Sequence, residues 1–332
     1  MNSRDAIHAI VPTFNAEQHI ARCLESIRDH CASITVIDTH STDRTVEIAR
    51  GLGADVLTTD WINYATQMNF GIDALAGRGG WLLRIDADEI FDRDSTIGLR
   101  DAAATMAPDV DGILILRRMY FLGRRMRYGG IEPSYQLRLW RNGRGRCEQR
   151  WADEHIKVPG RVVKSGVVLS DINLNSLAWW TEKHNNYSSR EAIDVLNRTH
   201  GFLPRPDADV SGMNTQARLR RILKEKVYMK VPGGARAMAY FLYRYLFRLG
   251  FLDGRAGLYF HLLQGLWYRS LVDAKLHEIR EFAATHGVPI TEAIRDRTGV
   301  NLAPAQEARA VTKSGEDPVP GRGVAQPSPV GS

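Results

Sequence analysis

The sequence predicts an α/β protein: a mostly parallel, doubly wound, Rossmann-like sheet with a C-terminal helical extension. Three features predict it. Short apolar runs recur between Ile7 and Leu116, helix-period patterns separate them, and Pro, Asp or Gly punctuates the joins. Ile7 to Val11 reads as a buried strand ended by Pro12. A helix follows from about Ala16, with Ile20, Leu24 and Ile27 a turn apart and Asn15 as its cap. Ile34 to Ile37 is a second strand, ended by Asp38, and Ser41 or Thr42 caps the next helix, which runs to Gly51 or Gly53. Ala54 to Leu57 is a short third strand. Asn63 to Ala76 is a helix that places Ala65, Met68, Ile72 and Leu75 together. Trp81 to Ile85 and Gly112 to Leu116 complete the strands, and Leu137 to Trp140 is strand-like.

In open parallel sheets, ligands bind at the carboxyl ends of the strands. Pro12 to Asn15, Asp38 to Asp43 and Asp86 to Asp88 all fall there, so three polar clusters are expected to line one crevice. The last cluster carries the most chemistry. Two carboxylates spaced Asp-x-Asp directly after a buried strand need a compensating partner. With no cysteine beside them, a hard divalent cation, Mg²⁺ or Mn²⁺, suits the pair, and such ions usually arrive with phosphates. Alone, the spacing is also what an ordinary turn looks like.

The composition of the 332 residues, 44% hydrophobic and 25% charged, suffices for a sizeable core. The net charge of +6 suits nucleic acid, anionic lipid or phosphorylated substrates, and composition does not choose among them. The three cysteines form no metal or redox spacing, as expected in a reducing cytosol. The start lacks the pattern of a signal peptide, and no apolar run reaches the ~18 residues of a spanning helix.

Four motifs stand in order: Ile10-Val11-Pro12-Thr13-Phe14-Asn15, Val36 to Thr45, Gln67-Met68-Asn69-Phe70-Gly71, and Ile85-Asp86-Ala87-Asp88-Glu89. Together they resemble the family 2 glycosyltransferases of GT-A fold, in particular the bacterial branch that builds lipopolysaccharide core or lipid-linked polysaccharide precursors. The resemblance covers roughly residues 6 to 200. It implies that Pro12, Thr13 and Asn15 surround the nucleotide, that Asp38 contacts the base, and that Ser41 and Asp43 open the next helix beside it. Gln67 and Asn69 match a helix closing over the nucleotide. Asp86 and the adjoining Ala87 match the ribose- or metal-contacting stretch, and Asp88 the metal ligand. The resemblance also implies a base, an Asp or Glu downstream of the Asp-x-Asp, that activates the acceptor hydroxyl; Glu154 is the first candidate, with Asp153 second, and His155 is expected to ligate metal or orient a phosphate. Arg138 binds an acceptor phosphate or is a surface charge. One base and direct attack imply inversion at the anomeric carbon. The donor is expected to be of UDP or GDP type and the acceptor a saccharide, lipid-linked in this branch.

The organisation expected is a catalytic domain over 1–202, a loop over 203–212, a helical basic and aromatic region over 213–300, and a disordered tail over 301–332. The third region, with Arg218 to Lys230 followed by Tyr240 to Arg248, reads as a helical cap, as an interfacial membrane helix or as a nucleic-acid surface. Arg244 and Arg248, four apart, place cations on one helical face. This favours lying on an anionic membrane over crossing it, and no nucleic-acid module is recognised. The expected location is the cytoplasm, peripheral on the inner face of the bacterial cytoplasmic membrane. Two other functions are open: a sugar-nucleotide nucleotidyltransferase, disfavoured because Pro-Thr-Phe-Asn replaces its Gly-rich loop, and a non-catalytic nucleotide-sugar-binding scaffold. No Gly-x-Gly-x-x-Gly follows the first strand, which argues against a dinucleotide oxidoreductase.

Overall fold

A computed structural model describes residues 5–148, 154–203 and 234–302. Strand β1 (Ile7–Thr13) is buried along its whole length, as an apolar run in the middle of a sheet must be. It pairs in parallel with β2 (Ser33–Asp38) on one side and β4 (Trp81–Arg84) on the other, and β2 pairs in parallel with β3 (Asp55–Thr58). The carboxyl ends of β2, β1 and β4 therefore lie side by side, which brings the three polar clusters to one edge.

The sheet continues through β8 (Ser134–Arg141), antiparallel to both β4 and β6 (Val110–Phe121). Beyond β6 come β11 (Arg161–Asp171), parallel to it, and β5 (Glu89–Phe91), antiparallel to β11. The short β7 (Arg124–Met126) folds back on β6 and completes nine strands among the described residues. The sheet is thus parallel in its first half and mixed in its second. A separate hairpin joins β9 (Arg146–Cys147) to β10 (Ile156–Lys157).

Helices cover both faces. On one, α1 (Ile20–Ile27), α2 (Thr45–Gly51) and α4 (Leu99–Ala104) pack Ile20, Leu24, Ala49 and Leu99 against Ile7, Ala9 and Val11. On the other, α3 (Tyr64–Ala74) packs Ala65, Met68 and Ile72 against Ile10, Ile37 and Leu82. Gly71 allows this close seat: a Cβ there would lie 2.8 Å from Ile10 Cγ2 and 2.9 Å from Ile37 Cγ1.

Helix boundaries differ from expectation in two places. Asn15 does not cap α1, which starts after His19, and neither Ser41 nor Thr42 caps α2, which starts after Arg44. These side chains bond across the loops instead, as described below. Asn63 does cap α3, accepting from the Thr66 N–H at 2.9 Å.

Helix α5 (Leu177–His200) runs from the crevice into the C-terminal region. Its last turns form a second core with the helices Tyr268–His286 and Ile290–Thr298, through Ile193, Leu196, Leu276 and Ile294. A smaller cluster of Phe121, Met126 and Phe260, with Trp180 against it, fixes that region to the β6–β7 hairpin. No helix among the described residues is long and apolar enough to cross a membrane. The expected loop after Leu203, the Arg218 to Lys230 stretch and nearly all of the expected tail lie outside the described residues.

Arg244 and Arg248 do not share an outward face. Arg244 is buried, donates to the Gly129 carbonyl at 2.9 Å and lies over the rings of Tyr240 and Phe260, while Arg248 is exposed.

Candidate active site

The first two loops lock together. Thr13 donates to Asp38 at 2.9 Å, and the Ser41 N–H and hydroxyl donate to the same carboxylate. Asn15, held at a φ of 47°, accepts from the Thr42 N–H at 2.9 Å, and its own N–H donates to Ser41 at 2.8 Å. A positive φ is tolerated at Asn because its short polar side chain bonds locally. Asp43 accepts from the Glu17 N–H at 3.0 Å and from the Thr45 N–H at 2.9 Å, beside the start of α2. Pro12, Thr13 and Asp38 are buried, and Asn15 and Phe14 are exposed at the rim.

Strand β4 ends at Arg84, and the chain then turns: the Glu89 N–H donates to the Asp86 carbonyl at 2.9 Å, and the Asp86 N–H donates to the Glu89 side chain at 3.0 Å. Ala87 is buried inside this turn. Asp86 accepts from the Tyr64 hydroxyl at 2.6 Å and from Arg138 at 3.1 Å, with the Arg84 guanidinium 3.5 Å away. Arg138 also pairs with Glu89, and Arg117 bridges Glu89 and Asp171. Arginines and carboxylates thus alternate under the crevice floor. Burial pushes the Asp86 carboxyl up, but Arg138, Arg84 and the Tyr64 hydroxyl outweigh it and hold the group well below the usual carboxylate range. Glu89 goes the other way: burial, reinforced by Asp86 and opposed by Arg138, pushes it up to about 7.

Asp88 sits on the other side of the turn. It accepts from the Asn173 amide at 3.0 Å, and its carbonyl accepts from the Ile172 N–H and from Arg22. Its charge reaches His19 and Lys183. Burial lowers the Lys183 ammonium, and Tyr187, Asp88 and Asp171 together outweigh that and raise it.

The remaining expectations divide. Arg138 is not a surface charge: it is 2% exposed, because β8 lies inside the sheet beside β4. Gln67 and Asn69 are buried, and their amides go to main chain. Gln67 ties the Thr13 and Ile37 carbonyls, at 3.2 and 2.7 Å. Asn69 clips both the N–H and the carbonyl of Cys147, at 3.0 and 2.9 Å. They brace the strand ends and the β9–β10 hairpin.

Glu154 and His155 lie on that hairpin, and Asp153 lies outside the described residues. His155 does not join Asp86 and Asp88 as a metal ligand. Its Nδ1 stands 3.4 Å from Glu148, whose other oxygen is 3.3 Å from Lys157. Among the described residues no group of three or more His, Cys, Asp or Glu side chains is placed to hold a metal. A cation delivered on phosphates needs less, since one or two protein carboxylates suffice for Mg²⁺. Asp88 and the outer edge of Asp86, whose side chain is 28% exposed, fit that smaller demand.

Sequence reasoning missed Tyr64, Arg84, Glu89, Glu148, Asn173 and Lys183. Arg84 and Glu89 flank the Asp-x-Asp directly. Asn173 and Lys183 are near Asp88 only through the fold and left no local signal.

Residues 8–160 match the family model described as glycosyl transferase family 2. That stretch, a little under half of the chain, is thus similar to family 2 glycosyltransferases. The chain is also similar to the lipopolysaccharide core biosynthesis glycosyltransferase LpsC of Rhizobium meliloti, 28% identical over 147 residues that make up 43% of this chain and 53% of that protein. An uncharacterized glycosyltransferase of Rickettsia typhi is 39% identical over 83 residues, 25% of this chain and 28% of that one. The chain thus spans about half the length of these curated relatives, or less. Among solved structures, glucosyl-3-phosphoglycerate synthase from Mycobacterium tuberculosis, in complex with Mn²⁺, UDP and glucosyl-3-phosphoglycerate, overlaps 34% of this chain and 44% of that chain, at 18% identity and a TM-score of 0.29.

Proposed function

We propose that this chain is a family 2 glycosyltransferase that moves a sugar, with inversion, from a UDP- or GDP-type donor to a saccharide acceptor of envelope polysaccharide or lipopolysaccharide core. We take the acceptor to be lipid-linked, and the enzyme to work at the inner face of the bacterial cytoplasmic membrane. The observation that carries the reading is the meeting of Asp38, at the end of β2, with Asp86 and Asp88, after β4, across the single strand β1. The residue roles we assign are those the family resemblance implies. Asp38, fixed by Thr13 and Ser41, offers the base a rigid acceptor. Asp86, kept ionised by Arg138 and Arg84, faces the ribose or the diphosphate. Asp88 with Asp86 would hold Mg²⁺ or Mn²⁺ arriving on the diphosphate, and the ion would supply charge compensation for the departing nucleoside diphosphate. Glu154 takes the acceptor proton, with Asp153 as the second candidate, and Pro12, Asn15, Ser41 and Asp43 shape the nucleotide pocket. We assign the catalytic unit to residues 1–202 and the membrane-facing part to 213–300.

The test is transfer from labelled nucleotide sugars to a lipid extract from envelope-forming bacteria. Glu154→Gln should lower the rate by about 10²-fold or more, the usual worth of a general base, while leaving donor binding intact. Full activity in both Glu154→Gln and Asp153→Asn would remove the proposed base chemistry.

A further inference from the structure

We infer that the turns between Leu242 and Tyr259, together with the tip of the β6–β7 hairpin, form a wedge that docks on an anionic lipid surface. This rests on the membrane reading above and names the surface that carries it.

The first observation is apolar exposure. Leu242, Leu246, Phe247, Leu249, Phe251 and Leu252 are exposed by 39 to 77%, with Phe247 the most exposed. At roughly 200 Å² for a large side chain, this and its rim amount to several hundred Å² of apolar surface, the size at which a patch signals an interaction. The second is backbone strain. Leu249 and Leu122 are leucines at positive φ, 59° and 49°, and both are exposed, by 45% and 57%. Bulky residues rarely occupy that region, and here the strained conformation points no side chain into a core. The two turns are neighbours, since a Cβ at Gly254 would meet the Arg124 guanidinium at 3.3 Å.

The third observation selects the partner. Arg124, Arg127, Arg248 and Arg255 are exposed around the patch. From Gly234 to Val272 the sequence holds one acid, Asp253, and from Met119 to Ile131 none. Asp253 is buried and accepts from the N–H groups of Arg127 and Tyr128, at 3.1 and 3.0 Å, so it presents no charge outward. Among the described residues of these two segments, an apolar face flanked by exposed cations and no exposed acid matches a lipid surface carrying negative headgroups. The same Asp253 contact ties the wedge to the loop that leads into β8 and Arg138, so a docked wedge would hold the crevice at a fixed height above the bilayer.

The test is flotation of the full chain with vesicles of phosphatidylcholine alone and of phosphatidylcholine mixed with phosphatidylglycerol, alongside size-exclusion chromatography. The expected result is binding to the mixed vesicles only, weakened by salt. Phe247→Asp with Leu252→Asp should weaken binding at least about tenfold, and Arg248→Glu with Arg255→Glu should do the same through charge. The second pair decides if the first unfolds. Nucleotide-induced thermal stabilisation should be unchanged in both, so a failed wedge is separable from a failed glycosyltransferase reading. Undiminished vesicle binding by the charge pair and any folded apolar pair overturns the proposal. So does a self-associated chain that ignores vesicles and becomes monomeric on substitution.

Discussion

Asp86, Glu89 and Arg138 share one buried contact, and their charges cannot be varied separately. Removing the guanidinium by Arg138→Met leaves two carboxylates side by side in a buried site. Breaking such a pair costs about 3–5 kcal/mol, so the expected outcome is a large fall in the unfolding midpoint, partly restored by Arg138→Lys. Glu89 predicts a pH effect of defined sign. Its pKa in the folded chain is pushed up to about 7, above its unfolded value. Between about pH 4.5 and 7 the native state therefore binds more protons than the unfolded one, and this group's contribution to stability falls as pH rises. Asp86 is displaced downward, so its contribution is complete above about pH 4 and is lost only in stronger acid. Urea unfolding of Glu89→Gln and wild type at pH 5 and pH 7 isolates the first effect. The stability of the variant relative to wild type should be greater at pH 7 than at pH 5.

The elements that sequence periodicity reveals are those whose surroundings are local. The strands β1, β2 and β4 are short, largely buried runs between helices, and helices next to them in sequence pack on them, whereas β3 is mostly exposed. The strands β8 and β11 pair with partners far along the chain, β8 with β4 and β6 and β11 with β6 and β5, and nothing in their own residues specifies those partners. Helix α5 carries no single apolar stripe, because its two halves serve different clusters, Trp180 toward Phe121 and Ile193 to Leu196 toward the C-terminal helices. The site divides in the same way. The carboxylates are legible because they sit at strand ends, whereas Arg138 becomes a site residue only through the antiparallel insertion of β8.

The join between the sheet and the C-terminal helices yields a further element-scale prediction. His261 is fully buried, with neither ring nitrogen hydrogen-bonded among the described residues, and its ring fills the space left by the missing side chains of Gly129 and Gly250. Burial, with Arg244 adding to it, pushes the imidazole down to about 4. The unfolded chain takes up this proton near pH 6.5 and the native chain resists, so stability from this join is present above pH 6.5 and is lost as pH falls toward 4. Gly129→Ala meets the ring directly at a φ of +68°. It should destabilise by about 1–3 kcal/mol, measured as a lower unfolding midpoint at pH 7.5.

For the whole molecule, the net charge of +6 and the excess of arginine acquire a location. Many arginines are spent inside, at Asp86, Glu89, Asp171, Asp273 and Glu191, and others ring the exposed apolar turns. Composition alone left lipid, nucleic acid and phosphorylated substrate equally open. The placement of those charges is what distinguishes the proposed nucleoside diphosphate site from the proposed headgroup surface. The central claim is that the crevice at the ends of β1, β2 and β4 binds a nucleotide sugar. The most direct measurement is thermal stabilisation by UDP, GDP, CDP and dTDP, each with and without Mn²⁺, on wild type and Asp88→Asn. A shift selective for one base, dependent on the metal and lost in the variant, is the predicted result. At a nucleotide concentration of about 100 times Kd the stabilisation is about 2.7 kcal/mol, well within reach of the assay. No shift with any nucleotide, or an undiminished shift in Asp88→Asn, would contradict the account.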